Sequence, residues 1–143
     1  MARFKFRLDI LLRLAQNKEE EAKKELASWQ KQLLEAQEKL QKILIEITSS
    51  LNEKSAKRNI NEILLYEAYL ESLRNQQKKT ENEIEYFSIE RDKAILKLQE
   101  TIKERKILEK LKEKKLEQYI FDENQKEQKE ADEVGSKIFI DGR

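Results

Sequence analysis

The chain has 143 residues, 41% charged and 38% hydrophobic, and its 30 basic and 29 acidic side chains leave a net charge of +1. That proportion furnishes apolar stripes for helices but too little for a layered globular core. Near-neutrality excludes a whole-molecule field that would draw in nucleic acid or a membrane surface. Cysteine and histidine are both absent, which removes disulfides, thiolate chemistry and the commonest metal ligand and general base.

In chain order, Arg3, Lys5 and Arg7 precede Ile10-Leu11-Leu12, a faint imitation of a signal peptide. Arg13 interrupts the apolar run and no small-residue cleavage site follows, so the chain reads as cytoplasmic. No stretch approaches the roughly 18 uninterrupted apolar residues of a membrane span.

Neither proline nor glycine occurs before Gly135, so helix-breaking residues are missing over a length no ordinary globular helix reaches. From Leu8, alternate steps of four and three give Leu12, Ala15, Glu19, Ala22, Leu26, Trp29, Leu33, Ala36, Leu40, Ile43, Ile47 and Ser50. Eleven of these thirteen positions are apolar, a coiled-coil seam that predicts helix one over about 4–52. The segment 48–59 is small and polar, the best turn candidate, with the turn at about 53–60. It lacks Gly and Pro, so one unbroken helix is the competing arrangement.

Helix two is predicted over about 61–133, capped by Asn59 or Asn61. Its seam reads Tyr66, Leu70, Leu73, Gln77, Thr80, Ile84, Phe87, Arg91, Ala94 and Leu98, then shifts phase to Ile102, Leu108, Leu111 and Leu116. Gly135 supplies a stop, leaving 135–143 as a flexible tail in which Ile138-Phe139-Ile140 has no derived role. The fold class is thus all-α, a long antiparallel two-helix coiled coil (an α-hairpin) over 1–134, expected as a monomer. A turn centred near residue 56 sets Leu8 beside Glu104 and lets helix two overhang its partner's start by about twenty residues.

Two features exceed a generic coiled coil. Residues 103–115 carry a local net of +4 and neighbour basic residues 1–14 in the hairpin, while 117–133 hold seven acidic against two basic residues. The second feature is apolar crowding after the turn, at Ile63, Leu64, Leu65, Tyr66, Tyr69, Leu70 and Leu73. Leu64, Leu65 and Tyr69 either fold over the turn as a satellite core or form a docking patch. Trp29 falls on the seam as core. Nucleic acid is an unfavourable partner, because acidic residues dilute the lysines and no aromatics stand among them. With no glycine-rich phosphate loop and no concave pocket, neither an enzyme nor a small-molecule, metal or cofactor site is expected.

The opening Phe4-x-Phe6-x-Leu8-x-x-Leu11-Leu12, then Glu20-x-Ala22-x-x-Glu25-Leu26, and the closing Glu123-Asn124-x-x-Glu127-Gln128-Lys129-x-x-Asp132-Glu133 resemble the flagellar export protein FliJ family. Tyr66-x-x-Tyr69-Leu70-x-x-Leu73 resembles the segment after the turn in that family. The resemblance implies a non-catalytic component of the flagellar type III protein export apparatus, similar to the coiled coil of a rotary ATPase central stalk. Its partners would be the hexameric flagellar export ATPase, whose ring assembly and activity it promotes, the membrane export gate protein and export chaperones. Its place would be peripheral, at the cytoplasmic face of the inner membrane at the flagellar base. Carried over residue by residue, Arg3, Phe4, Phe6, Arg7, Leu11, Arg13, Glu123, Gln128, Lys129, Asp132 and Glu133 would face the ATPase ring. Tyr66, Tyr69 and Leu73 would face the gate. The turn departs from the family pattern in having Ser-Ala where small polar or glycine residues are common. A generic coiled-coil chaperone or scaffold binding amphipathic helices is the reading of a different class.

Overall fold

The computed structural model describes residues 4–141, with side chains through residue 138. Two helices account for nearly all of it: α1, Asp9–Ala56, and α2, Ile60–Asp141. They pack against each other as an all-α hairpin with no strand among the described residues.

Helix α1 begins at Asp9 rather than near residue 4. The Asp9 amide donates to the Phe6 carbonyl at 3.1 Å and the Leu12 amide to the Leu8 carbonyl at 2.9 Å, so the chain tightens into a turn before the regular ladder starts. The Asp9 carboxylate suits the positive end of the helix dipole, and Lys54 in the last turn suits the negative end. The helix persists to Ala56, and the Lys57 amide closes it by donating to the Lys54 carbonyl at 3.1 Å. Asn59 is the cap of α2, its side-chain oxygen accepting from the Asn61 amide at 2.9 Å. No described residue has positive φ, which is why Lys57-Arg58-Asn59 reverses the chain without glycine.

At its far end α2 continues through Gly135, where the sequence indicated a stop, to Asp141. Gly135 has no positive φ, and a Cβ there would meet nothing within 4 Å. Glycine in such a setting costs a helix about 1 kcal/mol relative to alanine, too little alone to end it.

Two compact units divide the chain, a middle unit of Glu20–Gln99 and a terminal unit of the residues up to Glu19 and from Glu100 onward. In the middle unit every seam position of both helices is buried or half-buried, from Ala22 to Ser50 and from Tyr66 to Leu98. Leu70 is 2% exposed, a burial of about 1.5–3 kcal/mol for such a side chain. Thr80, equally enclosed, satisfies its hydroxyl by donating to the Gln76 carbonyl at 2.8 Å. Trp29 sits at the seam's edge against Tyr86 and Phe87, with ring centroids 6.1 and 6.2 Å away.

In the terminal unit the seam keeps its phase where the sequence suggested a break. After Leu98 the same stepping gives Thr101, Arg105, Leu108 and Lys112, all buried or half-buried. Ile102 and Leu111 flank that line, and Leu116 is 38% exposed. The phase survives polar residues because α1 answers them: Glu19, 6% exposed, pairs with Arg105, and Asp9 with Lys112 at 3.0 Å. The register also differs from the expected one. Leu8 lies next to the Asp9 that pairs with Lys112, not beside Glu104, because the reversal occurs at 57–59 and α1 ends four residues later.

Candidate functional site

The terminal unit sets the residues just before α1 against the part of α2 around 112–119. The Phe4 ring packs on Tyr119 with centroids 5.5 Å apart and planes inclined at 50°. Phe6 is buried at 8% exposure, so residues 4–6 are anchored against the helices before α1 begins. Lys5, Arg7 and Lys115 join Phe4, Phe6 and Tyr119 around a cleft of about 580 Å³. Apolar walls with a cationic rim suit an apolar side chain flanked by carboxylates.

Alongside, Leu11 and Leu14 on α1, 48% and 49% exposed, line a shallow groove with Lys18, Glu104 and the 66%-exposed Ile107 on α2. Arg13 is exposed on α1. Past Tyr119, α2 carries Gln128, Lys129, Asp132 and Glu133 exposed, while Glu123 is half-buried. Ile120, Phe121, Val134 and Ile138 there are all at least half exposed. Arg3, Phe139 and Ile140 lie outside the residues whose side chains are described.

The middle unit holds the tyrosine group. The Tyr66 hydroxyl donates to Glu53 at 2.8 Å and the Tyr69 hydroxyl to Glu46 at 3.1 Å, both across the hairpin. Donation to a carboxylate stabilises the neutral phenol, so each hydroxyl is held above its ordinary pKa, chiefly by that bond. Half-buried Lys54 and exposed Glu67 add an ion pair at 3.0 Å. Leu73 is buried in the seam at 5% exposure and presents no surface, unlike the two tyrosines grouped with it. Ile60, Leu64 and Leu65 are 70%, 56% and 72% exposed, which excludes the satellite core over the turn.

Tyr119 in the cleft and the Glu19–Arg105 pair in the seam were not singled out from sequence, while Lys115 was read only as part of the basic band beside residues 1–14. Both cleft residues fall on the heptad stepping carried past Leu98, a signal obscured by polar residues at Thr101, Arg105 and Lys112. No group of side chains suited to a metal ion occurs among the described residues, and no helix there is long and apolar enough to cross a membrane.

A family model, that of the flagellar FliJ protein, matches residues 4–143. No curated protein and no solved structure matches the chain. The matched span takes in the aromatic N-terminal anchor, both helices and the acidic end of α2. With essentially the whole chain covered, this protein belongs to the flagellar FliJ protein family.

Proposed function

We infer that this flagellar export component works without catalytic chemistry of its own, as a stalk-like partner of the hexameric export ATPase. The terminal unit enters the ring and promotes its assembly and turnover. One observation carries this reading: Phe4 on Tyr119 and Asp9 on Lys112 fasten the N-terminal arm to α2 as one charged, aromatic-walled body. A preorganised end of this kind loses little conformational entropy on entering a channel. Phe4, Arg7, Leu11 and Arg13 would meet the ring from the fastened part, and Glu123, Gln128, Lys129, Asp132 and Glu133 from the α2 extension. Arg3 is assigned there on resemblance alone, and Phe6 acts from inside by holding the arm.

Tyr66 and Tyr69 are the proposed contact with the membrane export gate, supported from beneath by Leu73, and export chaperones share the exposed apolar surface near the turn. The protein then works peripherally at the cytoplasmic face of the inner membrane at the flagellar base. A client-binding coiled coil is the second reading, favoured by the exposure of Ile60, Leu64 and Leu65. Photo-crosslinking from position 129 in the intact chain separates the two. The stalk reading expects adducts with the export ATPase, and adducts with export clients alone would replace it with the client-binding reading.

A further inference from the structure

The charge on the last part of α2 changes sign once, and the rest of the chain answers neither side fully. Residues 103–115 hold seven basic side chains against three acidic, and 117–133 hold seven acidic against two basic. In the first band Arg105 and Lys112 pair with α1. Lys106, Lys110, Lys114 and Lys115 are exposed and in no ion pair among the described residues. In the second band no carboxylate is in an ion pair among the described residues, and Asp122 accepts from the Gln118 amide at 3.0 Å. At the junction Leu116, Ile120 and Phe121 are 38%, 50% and 55% exposed.

We propose that a second copy of this chain occupies this surface, its α2 lying antiparallel along the first across a two-fold axis near residue 117. The band centres, residues 109 and 125, are about 24 Å apart at 1.5 Å per residue, and the axis falls midway between them. It sets each copy's basic band against the other's acidic band, twice. A parallel copy would oppose like charges, and an acidic peptide would cover one band and be repelled by the other, so only an antiparallel copy answers both. Leu116 of both copies lies nearest the axis and Ile120 and Phe121 within about 6 Å of it along the helix, giving an apolar centre with a charged rim. The contact is isologous and closes at two copies. This pairing departs from the monomer expected from sequence, and because it covers α2 residues also assigned to the ATPase ring, the dimer is a state of the chain outside the ring.

The test is sedimentation equilibrium of the full chain in low and high salt, with circular dichroism of each variant as a check on folding. Wild type is expected to approach twice its 17.2 kDa mass at low salt and to dissociate as salt screens the rim. K110E/K114E alone and E127K/E130K alone are each expected to lose the dimer while staying helical, and an equimolar mixture to regain it. A monomer at every concentration and salt, association that grows beyond two copies, or a helical mixture that fails to pair would each overturn the proposal.

Discussion

Arg105 on α2 donates from Nε to the Glu19 carboxylate on α1 and from Nη1 to both Glu109 carboxylate oxygens at 3.0 Å. Glu109 first, then Glu19, holds the guanidinium more firmly charged than usual. Glu19 is buried in the seam, so this is a buried charged layer in the interface, a device that specifies alignment more than it stabilises.

Breaking the layer from one side is therefore worse than removing it. Arg105→Leu takes the guanidinium away from a buried carboxylate and should lower the thermal midpoint, whereas Glu19→Leu with Arg105→Leu should restore it or raise it. Thermal melts of both variants check this, and a double variant less stable than the single one contradicts the alignment role. Crosslinking of paired cysteines placed in α1 and α2 then shows whether the double variant slips.

Core and surface leucines of the middle unit should part widely. Leu70→Ala removes a side chain that is 2% exposed and should cost about 2–5 kcal/mol, while Leu65→Ala, at 72% exposure, should stay within about 0.5 kcal/mol. Urea unfolding followed by circular dichroism gives both values. Equal costs would mean that Leu65 is covered in solution.

The tyrosine bonds give a pH dependence of known sign. Because both phenols titrate above their ordinary value of 10.0 in the folded chain, their contribution is complete below that pH. It is lost as pH rises through the raised values. Tyr66→Phe with Tyr69→Phe should flatten the alkaline fall in stability relative to wild type. An identical alkaline profile in the double variant would show that these hydroxyls are not bonded to Glu53 and Glu46.

Gly135→Ala tests the continuation of α2. The added Cβ meets nothing within 4 Å, and alanine favours a helix by about 0.5–1 kcal/mol over glycine. Amide exchange around residues 131–138 should slow. Unchanged or faster exchange would place the end of the helix before Gly135.

The interhelical seam was legible because burial needs only side-chain type at steps of three and four; every seam position from Leu8 to Ser50 is buried or half-buried. The stretch after Leu98 was not, since Thr101 is polar and Arg105 and Lys112 are answered by Glu19 and Asp9 across the interface, and pairing partners far apart in sequence carry no local signal. The same limit hid the register, and with it the meeting of Phe4 with Tyr119. Tyr66, Tyr69 and Leu73 read as one motif, yet helical rotation buries Leu73 and leaves 45% of Tyr69 exposed. The turn lacked its usual punctuation because no residue in it requires positive φ.

The most direct measurement is ATP hydrolysis by the cognate export ATPase with and without this chain. Wild type should raise the rate, reversing Lys129, Asp132 and Glu133 together should abolish the increase, and Tyr66→Phe with Tyr69→Phe should leave it intact. A rate indifferent to wild type, or equally stimulated by the charge-reversed chain, would contradict the assignment of the terminal unit to the ring.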